Sequence, residues 1–122
     1  MLMLGARKRR VEWKEAGVTL TLLPLGETRD QELAEATTER VMDDNGQLKD
    51  LKRDVPEYVR LIGRECIADW DGVCGDDGEP VACTPERIDE FMQIQPARDF
   101  VLRKVRGLDL YLGREVEAAK KD

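Results

Sequence analysis

The strongest periodic signal in the sequence is an apolar stripe that any fold of this chain has to bury. Its members recur at spacings of three and four residues and are Val55, Val59, Ile62, Cys66 and Trp70. This spacing is typical of an amphipathic α-helix with one face against a core. Asp54 is expected to cap this helix and Pro56 fits its first turn, so the sequence predicts a helix over residues 55–69. Cys66 is expected to act as a small buried apolar side chain.

The supply of apolar residues limits the core that this helix can join. Leu, Ile, Val and Phe make up about a quarter of the 122 residues, whereas 38% are charged. A chain of this length forms one small domain, which we expect to span residues 1–122 with a modest core and a large solvated surface. No apolar run approaches the roughly 18 residues of a membrane span, and the initial MLML turns basic at once, unlike a signal peptide.

The N-terminal region predicts a β-hairpin over residues 7–25. Val11 and Trp13 alternate with charged residues in the first arm, and the segment VTLTLLPL forms the second arm after a turn-like break at residues 15–17. Pro24 has no amide donor and is expected to end the second strand. The first arm is strongly basic, which fits either an edge strand kept soluble by charge or an arm that docks on an acidic partner.

Further local signals complete the predicted fold. Thr28 and Gln31 form a capping box at the start of a helix over residues 28–42, and a loop with the turn signal Asn45-Gly46 follows it. The remaining segments are a short acidic hairpin over residues 70–83, a helix over 84–93 that Thr84 caps, and a helix over 97–119 that glycines at 107 and 113 can bend. Together these elements make an α+β fold, in which an N-terminal β-hairpin is followed by about four α-helices with a second short hairpin.

Histidine and the common catalytic motifs are missing from the sequence. There is no histidine, and Cys66, Cys74 and Cys83 show no CxxC spacing, which argues against general bases, activated nucleophiles and zinc sites of the usual kinds. Glycine-rich nucleotide loops and the GxSxG motif are also absent. We therefore expect no enzyme activity, no cofactor and no metal, with the cysteines as reduced thiols in a cytoplasm. The net charge of −6 argues against nucleic acid as a partner.

Five acidic residues and no basic ones fall between Asp69 and Pro80, which raises the question of calcium. An EF-hand loop that began at Asp69 would place Val73 and Cys74 where an Asp or Asn and then a Gly are needed. The segment is therefore predicted to be a solvated hairpin tip, in which Asp and Gly satisfy turn geometry. Weak cation binding by this loop is the alternative.

The last predicted helix carries more apolar residues than one stripe needs. Leu102, Leu110 and Leu112 widen its apolar surface around much of the circumference. Two interpretations stay open at this point. A partner covers a second face of the helix, or the helix is central and its own domain wraps it.

Four short motifs give the chain a resemblance to a known family. They are Leu23-Pro24-Leu25 at the end of the first hairpin, Trp70-Asp71-Gly72-Val73, then Asp77-Gly78-Glu79-Pro80-Val81, and Thr84-Pro85-Glu86 at the start of a helix. Over about residues 10–95 this pattern of turn and core residues resembles the small tail assembly chaperones of long-tailed bacteriophages.

The resemblance implies a non-catalytic chaperone that coats the tail tape measure protein until tail tube protein subunits polymerise around it. Such a protein is expected to work in the cytoplasm of the infected host bacterium and to form a homo-oligomer. An acidic domain with spare apolar helical surface can shield a long helical chain by helix-in-groove contacts. The residues expected at the partner contact are Phe100, Leu102, Leu108, Leu110, Tyr111 and Leu112.

Two other functions fit the same sequence. The basic arm at residues 7–14 fits a structural protein that stays in the phage tail, neck or baseplate and extends a strand to a neighbour. The acidic run at residues 69–79 fits a small inhibitor that mimics phosphate groups and blocks a host defence complex.

Overall fold

The computed structural model describes residues 2, 4 and 7–112. In this part of the chain five α-helices and five strands, in two small antiparallel sheets, form an α+β fold, so the predicted fold class is confirmed. None of the described helices is long and apolar enough to span a membrane. The strands are β1 (Arg9–Trp13), β2 (Val18–Leu22), β3 (Thr38–Met42), β4 (Leu48–Arg53) and β5 (Ile67–Asp71), and the helices are α1 (Glu27–Ala36), α2 (Val55–Cys66), α3 (Pro85–Met92), α4 (Gln95–Arg106) and α5 (Asp109–Leu112).

The predicted N-terminal hairpin is present. β1 and β2 pair antiparallel, and a 3₁₀ turn at Lys14–Ala16 joins them. Gly17 ends this turn at a φ of 66°, a conformation that residues with a side chain rarely adopt. Val11 lies opposite Leu20 and both are fully buried, so the alternation seen in the sequence does place the apolar side chains on the core face.

The helix predicted over residues 55–69 ends earlier than expected. α2 has the expected Asp54 cap but stops at Cys66, and the chain continues directly as β5, which pairs antiparallel with β2. Trp70 lies opposite Leu20 in this pairing, so it reaches the core from a strand and not from the helix stripe. Apolar spacing cannot separate these two states, because the hydrogen bonds that decide between them come from a strand distant in sequence.

The helix predicted over residues 28–42 is wrong in its second half. The hydroxyl groups of Thr37 and Thr38 donate to carbonyl oxygens of the last turn of α1 at 2.6–3.2 Å, and the helix ends there. The chain then forms β3, which pairs with β4 in a second sheet that the sequence analysis did not predict. The Asn45-Gly46 signal is the connection of this hairpin and not a loop between two helices.

The helix starts follow local sequence signals more closely. Thr84 caps α3 as predicted, since its side-chain oxygen accepts from the backbone N–H of Arg87 at 3.3 Å. α1 differs from the prediction, because its N-cap is Gly26 and Thr28 lies inside the helix. The expected capping box at this helix is therefore wrong.

The helix predicted over residues 97–119 is interrupted. α4 ends at Arg106, and Gly107 leaves the helical conformation with φ −88° and ψ 179° before α5 begins. The sequence predicts a bend at this glycine, whereas the structure shows a complete break of the helix. Residues 113–119 of the prediction, with the second glycine, lie outside the described residues.

Helices α2, α3 and α4 share one core with the three-stranded sheet, whose order is β1-β2-β5. Trp13 stacks on Phe100 with ring centroids 5.2 Å apart and meets Phe91 edge-on at 6.4 Å. A Cβ atom at Gly63 of α2 would overlap Met92 of α3, so this glycine allows the two helices to pack closely. Neither β3 nor β4 contributes a residue to this core.

Candidate functional site

Two of the six residues predicted to contact a partner lie in the core. Phe100 is 6% exposed and Leu110 is 2% exposed, so neither can reach a partner in the folded state. The Phe100 ring stacks on Trp13, and the guanidinium of Arg103 lies 5.7 Å from the centroid of the Phe100 ring. For these positions the interpretation of a helix wrapped by its own domain is the one that fits.

The other four predicted contact residues are each at least partly exposed. Leu108 is 59% exposed in the link between α4 and α5, whereas Tyr111 and Leu112 are half-buried in α5. Leu102 lines a groove of about 540 Å³ between α2, α3 and α4, together with Val55 and Met92. Leu108 does not line that groove. The predicted helix is broken at Gly107 and two of its six candidate residues are buried, so the six do not form one continuous helical contact surface among the described residues.

A group of exposed apolar residues lies elsewhere, on the hairpin of β3 and β4. Met42, Leu48 and Leu51 each expose more than half of their surface, with fractions of 52–56%. All six residues of β4 are exposed. An isolated two-stranded hairpin is only marginally stable in water, and this hairpin contributes no residue to the core. Exposed apolar side chains on such a hairpin point to a contact with another molecule.

The register of the hairpin collects these apolar residues on one side. Arg40 pairs with Leu51 and Met42 pairs with Leu48. Arg40 and Met42 are two residues apart in β3 and so share a face. Their partners Leu51 and Leu48 are three residues apart in β4, but a β-bulge between the two pairs shifts the register by one residue and keeps both leucines on that same face. Arg53 lies two residues beyond Leu51 and extends this face toward α2. We call the set Arg40, Met42, Leu48, Leu51 and Arg53 the hairpin face.

The charges of the hairpin are distributed unequally between its two sides. Both acidic residues of the strands, Glu39 and Asp50, lie on the side opposite the hairpin face. Glu39 pairs with Lys52 and Asp50 pairs with Val41, and these pairs alternate along the strands with the pairs that contain Arg40 and Arg53. The hairpin face itself carries two arginines and no acid. Neither arginine forms an ion pair with another described residue. A chain with a net charge of −6 thus presents a small basic and apolar surface.

Local turn chemistry holds the tip of the hairpin. The carboxylate of Asp43 accepts from the backbone N–H groups of Asn45 at 2.9 Å and Gln47 at 2.8 Å. Gly46 adopts a φ of 76°, which glycine tolerates without steric cost. The tip is therefore ordered by residues 43–47 themselves and needs no packing from the rest of the domain.

A polar network anchors the base of the hairpin to the helices. Arg106 of α4 donates to Asp30 of α1 at 3.2 Å and to the Tyr58 hydroxyl of α2 at 2.6 Å, and that hydroxyl also donates to Asp30. Burial raises the pKa of Tyr58, and the hydrogen bond to Asp30 raises it further. The guanidinium of Arg53 lies 5.8 Å from the Tyr58 ring centroid, a cation–π contact that links β4 to this network.

The short acidic hairpin predicted over residues 70–83 is present only in part. Residues 70 and 71 belong to β5, and the turn closes through a single bridge between Cys74 and Pro80. The indole N–H of Trp70 donates to the Val81 carbonyl at 2.9 Å and fixes the turn to the core. The Asp77 carboxylate accepts from the Glu79 backbone, as expected for a carboxylate that satisfies a turn. Among the described residues no group of three possible ligands is placed to hold a metal ion.

The three cysteines are free thiols. Cys66 is buried, and burial raises its pKa to about 12. Burial also raises the pKa of the half-buried Cys83, and the charge of Asp69 adds to this effect. Both shifts disfavour the thiolate, which is the reactive form of cysteine. Cys66 belongs to the hydrophobic core and Cys83 packs against it.

The hairpin face has a local signal in the sequence, but the predicted elements did not include it. Asn45-Gly46 between two segments with apolar residues is a strong local signal for a hairpin, but the helix predicted over residues 28–42 includes the first of these segments. With the strand at 38–42 hidden in that helix, Leu48 and Leu51 had no visible partner. The site therefore followed from strand pairing and not from any one residue.

Comparison with known proteins gives no relative from which a function could be transferred. No protein-family model, no curated protein and no solved structure matches the chain.

Proposed function

We propose that this chain is a non-catalytic phage tail assembly chaperone that binds and shields the tail tape measure protein. The resemblance of about residues 10–95 to such chaperones supports the proposal. The observation that carries it is the exposed apolar surface of the hairpin face. A chaperone has to offer apolar surface to its client while it stays folded, and this hairpin offers such a surface without any opening of the core.

The size of the surface also fits a chaperone that has to release its client. Three exposed apolar side chains on a two-stranded hairpin are far fewer than the roughly 20–30 residues per side of a standard stable interface. One copy is therefore expected to bind weakly. Several copies along a long tape measure chain would then cover it and still be displaced by tube subunits.

Affinity capture with the tape measure protein encoded by the same phage tests the proposal. The chain is produced together with that protein and captured through a tag, and the eluate is analysed by mass spectrometry beside purified phage particles. We expect the tape measure protein in the eluate and no copy of the chain in finished particles. A fixed copy number in particles would contradict the chaperone role.

Matched variants place the contact. Met42→Thr combined with Leu51→Thr removes two apolar side chains from the hairpin face but keeps β-propensity, and is expected to lower capture at least about tenfold. Val41→Thr changes the opposite side of the hairpin and is expected to leave capture unchanged. If the double variant captures as much tape measure protein as the parent, while both variants stay folded by circular dichroism, the hairpin face is not part of the contact.

A second candidate function is a structural protein of the phage tail, neck or baseplate. One observation favours it: β1 lies at an edge of the three-stranded sheet, and the exposed Arg7, Lys8 and Arg10 make this edge basic. An edge strand can pair with a strand of a neighbouring subunit. The particle analysis described above separates this function from the chaperone.

A further inference from the structure

We propose that the hairpin face binds an amphipathic α-helix whose apolar stripe is flanked by aspartate and glutamate side chains. This inference rests on the proposed function only in that the tape measure protein would supply the helix. The chemistry of the partner follows from the charge and the shape of the hairpin itself, and from features that disfavour other modes of binding.

Charge selects an acidic partner. Arg40 and Arg53 lie on the same face as Met42, Leu48 and Leu51, and neither has an ion-pair partner among the described residues. A partner that covers the apolar residues brings its own flanking side chains next to these guanidinium groups. Carboxylates at those positions form charge-assisted hydrogen bonds, whereas lysine or arginine there is repelled.

Shape selects a helix. Two paired strands lie about 4.8 Å apart, so with their side chains they offer a strip roughly as wide as one helix, which is about 10 Å across. The five residues of β3 extend over about 13 Å, at about 3.3 Å per residue. This length corresponds to between two and three turns of a helix with a pitch of 5.4 Å. A partner stripe of three or four apolar residues at helical spacing would match it.

The outer edge of β4 is partly blocked for the addition of another strand. The backbone N–H of Leu51 donates to the carboxylate of Asp50 at 2.8 Å. This donor is therefore occupied within the chain, which disfavours pairing with an incoming strand. Binding across the face is favoured over binding along this edge.

A second copy of this chain is a poor occupant of the same face. Two hairpin faces packed against each other would bring Arg40 and Arg53 of both copies into one interface. Four guanidinium groups would then meet without a carboxylate, because both acidic residues of the strands lie on the opposite side. Self-association, if it occurs, is expected to use another surface.

Two synthetic helical peptides test the proposal on the intact chain. They share one apolar stripe of leucines at i, i+4 and i+7, flanked by glutamates in one peptide and by lysines in the other. We expect the glutamate peptide to shift the backbone amide signals of β3 and β4 in ¹⁵N-labelled protein, and to bind about tenfold more tightly than the lysine peptide at low salt. The difference is expected to shrink at high salt.

Charge reversal supplies the matched control. Arg40→Glu is expected to remove or invert the preference, while Lys52→Glu makes the same charge change on the opposite side of the hairpin and is expected to keep it. Equal binding of both peptides, shifts confined to other elements, or shifts of β3 and β4 on concentration of the chain alone would each overturn the inference.

The same variants separate this inference from the chaperone proposal. Capture of the tape measure protein that depends on Met42 and Leu51 but not on Arg40 would overturn the acidic helix and leave the chaperone standing. Selective binding of the glutamate peptide without any capture of the tape measure protein would do the reverse.

Discussion

Two leucines in the C-terminal part of the described chain look alike in sequence but are predicted to respond in opposite ways to truncation. Leu110 is 2% exposed and belongs to the core, whereas Leu108, two residues away, is 59% exposed. Leu→Ala in a core removes the burial energy of the side chain and leaves a cavity, at a cost of about 2–5 kcal/mol. Because α5 is a single short turn that can partly collapse, we expect Leu110→Ala to cost about 2–3 kcal/mol. Leu108→Ala should stay within about 0.5 kcal/mol of the parent.

Urea unfolding measures this difference directly, with Trp13 and Trp70 as fluorescent reporters because both contact core aromatic rings. For a slope of about 1.5–2 kcal/mol per molar urea, Leu110→Ala should lower the midpoint by more than about 1 M, and Leu108→Ala should leave it almost unchanged. The slopes should agree. Equal midpoints for the two variants, or a larger loss for Leu108→Ala, would refute the assignment of Leu110 to the core and return it to the candidate partner surface.

Three further predictions address the core, an ion pair and the thiols. Trp70→Phe removes the indole donor to the acidic turn and should lower the free energy of unfolding by about 1 kcal/mol in urea titration, with faster hydrogen exchange in the turn. The pKa of the Asp89 carboxyl is held below its usual value, chiefly by the hydrogen bond from Arg64. The stabilisation from this interaction is present above the unfolded pKa and is lost as pH falls through the lowered folded pKa. Asp89→Asn should therefore lower the free energy of unfolding less in acid than at neutral pH. A thiol reagent should label the exposed Cys74 in the native protein but label Cys66 only on unfolding, and rapid native labelling of Cys66 would contradict its burial.

Sequence signals recovered the elements whose cause is local. The hairpin at residues 7–25 follows from alternation and a turn, and the start of α3 follows from Thr84 and the proline after it. These features depend on residues within a few positions of one another. They can therefore be read from the chain before any tertiary contact is known.

The errors arose where a distant segment decides the local structure. Residues 67–69 continue the apolar spacing of α2, but pairing with β2 makes them a strand. Residues 38–42 have no strong preference for helix over strand, and pairing with β4 makes them a strand as well. The burial of Leu110 was equally hidden, because the break at Gly107 redirects the chain after α4. The hairpin face could not be predicted without β3, since its five residues come together only through the register.

The separation between core and hairpin leads to a last prediction, that the fold survives removal of β3 and β4. The Asp54 backbone N–H donates to the Thr37 carbonyl at 2.8 Å, so these two residues already hold the ends of the hairpin together. Replacing residues 38–53 with Asn-Gly would leave a two-residue turn at this point. Because neither strand contributes to the core, we expect the free energy of unfolding to change by no more than about 1–2 kcal/mol. Binding of the glutamate-flanked peptide should disappear in the same variant. A variant that cannot fold would show that the hairpin supports the domain, and a folded variant that still binds would place the binding surface elsewhere.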